Sequence, residues 1–165
     1  MRKKMNVSIR PVEEKDRLLI KNIFNLYQDE LSVYSSDFEC LDENGYFAPE
    51  TVNEILPFGD GVFPYIIEEN ARPIGFVMAT DQSYAPDGAD FCLEELFLIR
   101  KKRGTGAAEC AMKEIFKNRA GKWALEVYRE NARAVSFWTR FLDCTAENIS
   151  KTDAPPFIRF FFTVK

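Results

Sequence analysis

The architecture of this chain turns on the run Glu94-Glu95-Leu96-Phe97-Leu98-Ile99-Arg100-Lys101-Lys102-Arg103-Gly104-Thr105-Gly106-Ala107-Ala108. Its first part is apolar around an acidic pair, as a strand would be, and its middle is a basic loop with two glycines. Its end opens a helix in which Ala108, Ala111, Met112, Ile115 and Phe116 share one face. Glycine lets a backbone approach a ligand closely, the first N–H groups of a helix lack internal partners, and the helix dipole favours negative charge at that end. The segment reads either as a turn that holds phosphates or as a basic, solvated turn with a glycine-assisted helix start. No Gly-Lys-Ser or Gly-Lys-Thr follows at Walker spacing, and no third glycine completes a dinucleotide fingerprint.

Periodicity extends the pattern in both directions. Residues 62–69 and 74–80 are β-branched or aromatic runs separated by Asn70, Ala71, Arg72 and Pro73, which predicts a hairpin. Residues 91–99 and 123–128 supply two further strands, and 7–12 an opening one. Ile20, Ile23, Phe24, Tyr27 and Leu31 predict a helix over 13–31. The helix after the basic loop starts near Thr105, gains a Glu109–Lys113 pair and stops at Gly121. The next starts near Glu130 and turns Ala134, Phe137, Trp138, Phe141 and Leu142 inward. Residues 143–149 and 157–164, parted by Pro155 and Pro156, read as closing strands, while 32–60 is acidic and turn-rich and reads as short helices and loops. The order β-α, β-β-β, α-β-α, β-β predicts a mixed sheet flanked by helices in one domain over 1–165.

Composition narrows the chemistry. The 165 residues are 46% hydrophobic, with 22 basic against 26 acidic side chains for a net charge of −4. A chain this size buries roughly 70% of its unfolded surface, so its core needs no disulfide or structural metal. The mild acidity argues against a nucleic-acid partner. Histidine is absent, which removes Ser-His and Cys-His nucleophiles and the common zinc sites, so no metal is expected and acid–base work falls to carboxylates, tyrosines or amines. Cys40, Cys92, Cys110 and Cys144 form no CxxC pair and read as reduced thiols, Cys110 as a core residue. With no signal-peptide core and no apolar run of membrane-spanning length, the expectation is a cytoplasmic protein without a membrane partner.

The basic loop resembles the pyrophosphate loop of the GNAT superfamily of acyl-CoA-dependent N-acyltransferases: Arg or Gln, two residues, Gly, one residue, Gly or Ala, matched by Arg103, Gly106 and Ala108. The resemblance continues in Ile74-Gly75-Phe76, in Leu96-Phe97-Leu98 five residues before Arg103, in Leu125-Glu126-Val127, and in Asn131, Ala134, Phe137 and Trp138. It covers about 66–142 well, and the first sixty or so residues only in element order.

The resemblance implies an α/β (α+β) fold with a mixed, mostly antiparallel sheet of about six to seven strands, flanked by about four helices and splayed between the fourth and fifth strands. It implies acetyl-CoA as co-substrate. Its diphosphate would lie against Arg103, Gly104, Thr105, Gly106, Ala107 and Ala108, with Leu98 and Ile99 at the strand end and Asn131 and Trp138 beside the pantetheine arm; Asn131 is equally a helix N-cap. The Leu98 N–H would polarise the thioester carbonyl. The acceptor would be a primary amine of a small molecule or peptide, deprotonated by Glu95 or Glu94, which on a regular strand face opposite sides of the sheet; Glu126 is a further candidate base. The family's tyrosine acid is here Trp138, whose indole donates no proton at neutral pH, so Tyr128 or solvent would serve instead. Three readings remain open: an N-acetyltransferase, a non-catalytic acyl-CoA-binding or regulatory module, and generic phosphate or nucleic-acid binding through Arg100, Lys101, Lys102 and Arg103. The Phe-rich end could cover a sheet edge or pair with a second copy in a homodimer.

Overall fold

The computed structural model describes residues 6–47 and 59–165. In chain order they form β1 (Val7–Pro11), α1 (Arg17–Leu31), β2 (Val62–Glu69), β3 (Arg72–Asp81), β4 (Phe91–Leu98), α2 (Ala107–Lys117), β5 (Gly121–Tyr128), α3 (Ala132–Thr145), β6 (Glu147–Ala154) and β7 (Phe157–Val164). The strands make one seven-stranded sheet in the order β1-β2-β3-β4-β5-β7-β6. Every pairing is antiparallel except β4 with β5.

Strand alternation sorts the side chains onto two faces. On one, Met112 and Ile115 of α2 and Phe141 and Leu142 of α3 bury Val77, Trp123, Leu125 and Phe160. On the other, Ile20, Ile23 and Phe24 of α1 cover Ile66, Phe76 and Phe97. The apolar stripe read from sequence is therefore the packing face of each helix. The four-helix expectation is met by three α-helices among the described residues. Part of the turn-rich stretch lies outside the described residues; over 32–47 the chain makes turns and bends, with the Asp42 carboxylate accepting from the backbone N–H of Asn44 and Tyr46.

The entry to α1 is fixed by a part-buried ion cluster. Arg10 reaches Asp16 with both terminal nitrogens, at 2.7 and 2.9 Å, and Glu68 with Nε at 2.9 Å. Asp16 also accepts from the Glu13 N–H at 3.0 Å. The Arg10 guanidinium holds the Asp16 carboxyl down at about 2, below its usual 3.8. A depressed carboxyl adds stability that is fully present above its unfolded pKa and lost as pH falls through the folded one. Asp16→Asn is therefore expected to cost about 2 kcal/mol at pH 7. Urea melts of the two proteins should converge as pH drops from 3.8 towards 2; a pH-independent difference would contradict this origin.

Two expectations are corrected at the C-terminal end. Residues 143–145 are helical rather than strand, because α3 runs on to Thr145, whose hydroxyl donates to the Phe141 carbonyl at 2.7 Å. The strand that follows spans Glu147–Ala154, later than the expected 143–149. It is an edge strand exposed along nearly its whole length, so its sequence carries no alternation from which a strand could be read. The expected Glu109–Lys113 ion pair is absent among the described residues. Cys110 is exposed rather than in the core; Cys92 is the buried cysteine.

Candidate active site

The sheet opens at its centre. β4 and β5 pair only at Phe91–Trp123, Cys92–Ala124 and Leu93–Leu125, and beyond these the strands part. The β3–β4 register slips at the same level: Met78 faces Glu95 and Ala79 faces Leu93, which leaves Glu94 as the extra residue of a β-bulge. The bulge breaks alternation, and this corrects the expectation that Glu94 and Glu95 face opposite sides. Leu93, Leu96 and Leu98 share the α2–α3 face, whereas Phe97 lies under α1, and Glu94 and Glu95 turn to that second side.

Past the bulge, the β4 backbone is half paired. The Ile99 N–H donates to the Ile74 carbonyl at 2.9 Å, so by alternation both the N–H and the carbonyl of Leu98 face away from β3, into the gap. Ile99, expected among the ligand contacts, thus has its amide committed to the sheet. Gly75 permits the tight β3–β4 crossing here: a Cβ on it would lie 2.0 Å from the Phe97 carbonyl oxygen.

The basic loop runs from a short 3-10 turn, Arg100–Lys102, into α2. Gly104 and Gly106 take positive φ values of 71° and 93°, which glycine adopts freely. Gly106 is also the N-cap, so the helix start has no capping side chain, and its first ladder bond is Cys110 N–H to the Gly106 carbonyl at 3.0 Å. Among the described residues nothing accepts from the amides of Gly104, Thr105, Gly106, Ala107 or Ala108. Such a row of free donors at a positive dipole end fits a diphosphate.

The basic side chains are less available. Arg103 donates from Nε to the Leu98 carbonyl at 2.7 Å and from Nη2 to both Glu30 oxygens at 2.6 and 2.7 Å. Its guanidinium is thus held inward, contrary to a phosphate contact. Arg100 also reaches Glu30, at 3.4 Å, and Lys102 pairs with Glu69. Of these four cations only Lys101 has no ion-pair partner among the described residues.

Glu95 is a carboxyl that the fold keeps protonated to higher pH. Burial beneath α1 pushes it up to about 7, the neighbouring Tyr27 phenol offsets part of the rise, and the Glu94 charge adds to it. Tyr27 is itself raised, by burial and then by Glu95. Glu94 is exposed and accepts from the Thr80 hydroxyl at 2.8 Å. Glu126 is ion-paired with Arg159. Tyr128 lies stacked on Tyr34, ring centroids 5.7 Å apart, and against Phe157 at 4.7 Å. Asn131 caps α3 by accepting from the Ala134 N–H at 3.1 Å. Trp138 is 5% exposed and packs with Phe137 and Phe141, so its ring belongs to the core. Sequence reading missed Tyr27 and Tyr34 as site residues; the signal was the three-residue spacing of Tyr27 and Glu30 on α1, which Tyr34 continues four residues on, in the turn beyond Leu31. Among the described residues no three His, Cys, Asp or Glu side chains gather as a metal site, and no helix is long and apolar enough to cross a membrane.

No protein-family model and no curated protein matches the sequence. Solved structures do match the fold. An acetyltransferase from Thermus thermophilus superposes with a TM-score of 0.71 at 16% identity, over 96% of this chain and 97% of that one. A GNAT-family acetyltransferase from Staphylococcus aureus gives 0.64 at 10% identity, over 96% and 99%. The PaiA N-acetyltransferase of Thermoplasma acidophilum, in complex with coenzyme A, gives 0.62 at 16% identity, over 94% and 98%. The architecture is the GNAT fold.

Proposed function

We propose that this chain, which carries the GNAT fold, transfers an acetyl group from acetyl-CoA to a primary amine by direct attack with both substrates bound. The observation that carries the reading is the row of amides from Gly104 to Ala108, unpartnered among the described residues, next to a strand end whose Leu98 N–H faces an open gap. The similarity in fold to acetyltransferases, one of them in complex with coenzyme A, supports it.

Acetyl-CoA supplies the acetyl group as a thioester, already activated towards amines, with a thiolate as leaving group. The turn amides would grip the diphosphate, and the Leu98 N–H would donate to the thioester oxygen as it gains negative charge. An alkylammonium must lose a proton before its lone pair can attack, and Glu95, at about 7, is matched to that task near neutral pH. It would take the proton directly or through a water and pass it to solvent as the C–N bond forms and the C–S bond breaks. The leaving thiolate needs no strong acid, since a free thiol ionises near pKa ~8.5. Tyr128, wedged between Tyr34 and Phe157, would form part of the acceptor wall.

Release of free CoA from acetyl-CoA across polyamines, amino acids, aminoglycosides and peptide N-termini tests the reading. At least one amine should give saturable turnover, with intersecting initial-rate lines. Trp138, which has no ionisable hydroxyl where the resembling family has tyrosine, favours a second reading as an acyl-CoA-binding module. Saturable acetyl-CoA binding without turnover on any amine would select that one.

A further inference from the structure

We propose that Glu30 is a positioning residue of this site: it holds Arg103, and through Arg103 the Leu98 carbonyl, so that the strand end keeps the extended conformation in which the N–H and carbonyl of Leu98 both face the gap between β4 and β5 and only the N–H is left free. This rests on the acyl-transfer reading, in which that N–H meets the thioester oxygen.

Leu98 ends β4 where β5 has already turned away, so its carbonyl has no strand partner on that side. The Leu98 N–H belongs to the Phe97–Leu98 peptide and the Leu98 carbonyl to the next one, so the two face the same side only while Leu98 stays extended, and an unpaired carbonyl at a splayed strand end is free to turn. Here the Leu98–Ile99 peptide is gripped from both ends: the Ile99 N–H by the Ile74 carbonyl at 2.9 Å, and the Leu98 carbonyl by Arg103 Nε at 2.7 Å. Arg103 consumes the acceptor that faces the gap and leaves the donor free.

Arg103 in turn is fixed by α1. Glu30 binds Nη2 with both carboxylate oxygens, and the guanidinium lies over the Phe97 ring, 5.5 Å from its centroid. Both side chains are largely shielded, 22% exposed for Arg103 and 23% for Glu30, unlike a solvated surface pair. Glu30 lies one helical turn from Tyr27, the α1 residue beside Glu95, and the turn that follows α1 brings Tyr34 onto Tyr128. One helix and the turn beyond it therefore set the base, the strand end and the acceptor-side aromatics in a common frame.

The test compares CoA with acetyl-CoA, since only the latter carries the carbonyl that the Leu98 N–H meets. Calorimetry on wild type, Glu30→Gln and Arg103→Gln is read beside kcat and KM. Wild type should bind acetyl-CoA about fivefold tighter than CoA, the worth of one hydrogen bond. In Glu30→Gln that advantage should vanish while CoA affinity stays within about twofold, and kcat should fall about tenfold at unchanged acceptor KM. Arg103→Gln should show the same split, and Glu30→Asp should restore part of it. In 15N spectra of the ligand-free proteins the Leu98 amide should shift in Glu30→Gln. Equal weakening of both ligands, tighter CoA binding in Glu30→Gln, or an unmoved Leu98 amide overturns the proposal. Wild type that binds neither ligand removes the acyl-transfer reading itself and the proposal with it.

Discussion

Glu95→Gln is expected to lower acyl transfer by roughly 10²–10⁴-fold while leaving the affinity for CoA unchanged. The expectation follows from where the bulge sends this carboxyl. On a regular strand Glu94 and Glu95 would split across the sheet; the slip at Met78 turns both towards α1, and Tyr27 covers Glu95. Burial makes the charged form costly, so the group titrates at about 7 instead of 4.5. For wild type, kcat/KM should rise with unit slope below about pH 7 and flatten above it, as the base loses its proton. In Glu95→Gln that inflection should be missing.

Stability should move the other way. A carboxyl whose folded pKa is raised binds its proton more tightly in the native state, so its stabilising effect is fully present below 4.5 and is lost as pH rises through about 7. Above that pH, wild type has a partly buried charge that glutamine does not. Glu95→Gln is therefore expected to be more stable at pH 8, by up to roughly 3 kcal/mol, and no more stable at pH 4. An inactive variant with raised stability at high pH marks a residue kept for chemistry; lost activity with lost stability at pH 8 would mark a structural one.

Gly106→Val should weaken CoA binding about a hundredfold, which corresponds to two lost charge-assisted hydrogen bonds. Gly106 sits at φ 93°, in a region that a β-branched residue avoids, and it is the N-cap from which the free amides fan out. Valine would have to rotate the turn to an ordinary φ, and the amides of Thr105, Gly106 and Ala107 would no longer converge. Because the loop is exposed or only partly buried up to that point, the melting temperature should fall by only a few degrees. Calorimetric titration with CoA checks this, and an affinity within threefold of wild type would contradict it.

Much of the fold is legible in the sequence because α1, α2, α3 and β7 each bury one face or stripe, and burial writes itself into sequence as periodicity. β6 escapes a correct placement for the same reason: a fully exposed edge strand has no buried face to write. The glycine turn is legible as a donor row because Gly104 and Gly106 perform backbone work that composition reveals. Its charges are not. Arg103 reads as a phosphate contact, but its partner Glu30 lies 73 residues away, and no local pattern announces a pairing at that distance. Glu95 and Glu94 are both visible, yet the preference between them depends on a single-residue register slip, which alternation alone cannot foresee. The period of Tyr27 assigns it to the core, although its hydroxyl end meets the candidate base.

Main-chain donors at the start of α2 are expected to bind the diphosphate of CoA, and a 15N-resolved titration of the wild-type protein with CoA tests this most directly. The amides of Gly104, Thr105, Gly106, Ala107 and Ala108 should shift together and saturate on one isotherm, with Cys110, already bonded to the Gly106 carbonyl, moving least among its neighbours. If those five amides stay in place at millimolar CoA while other resonances move, the ligand binds elsewhere and the account is wrong.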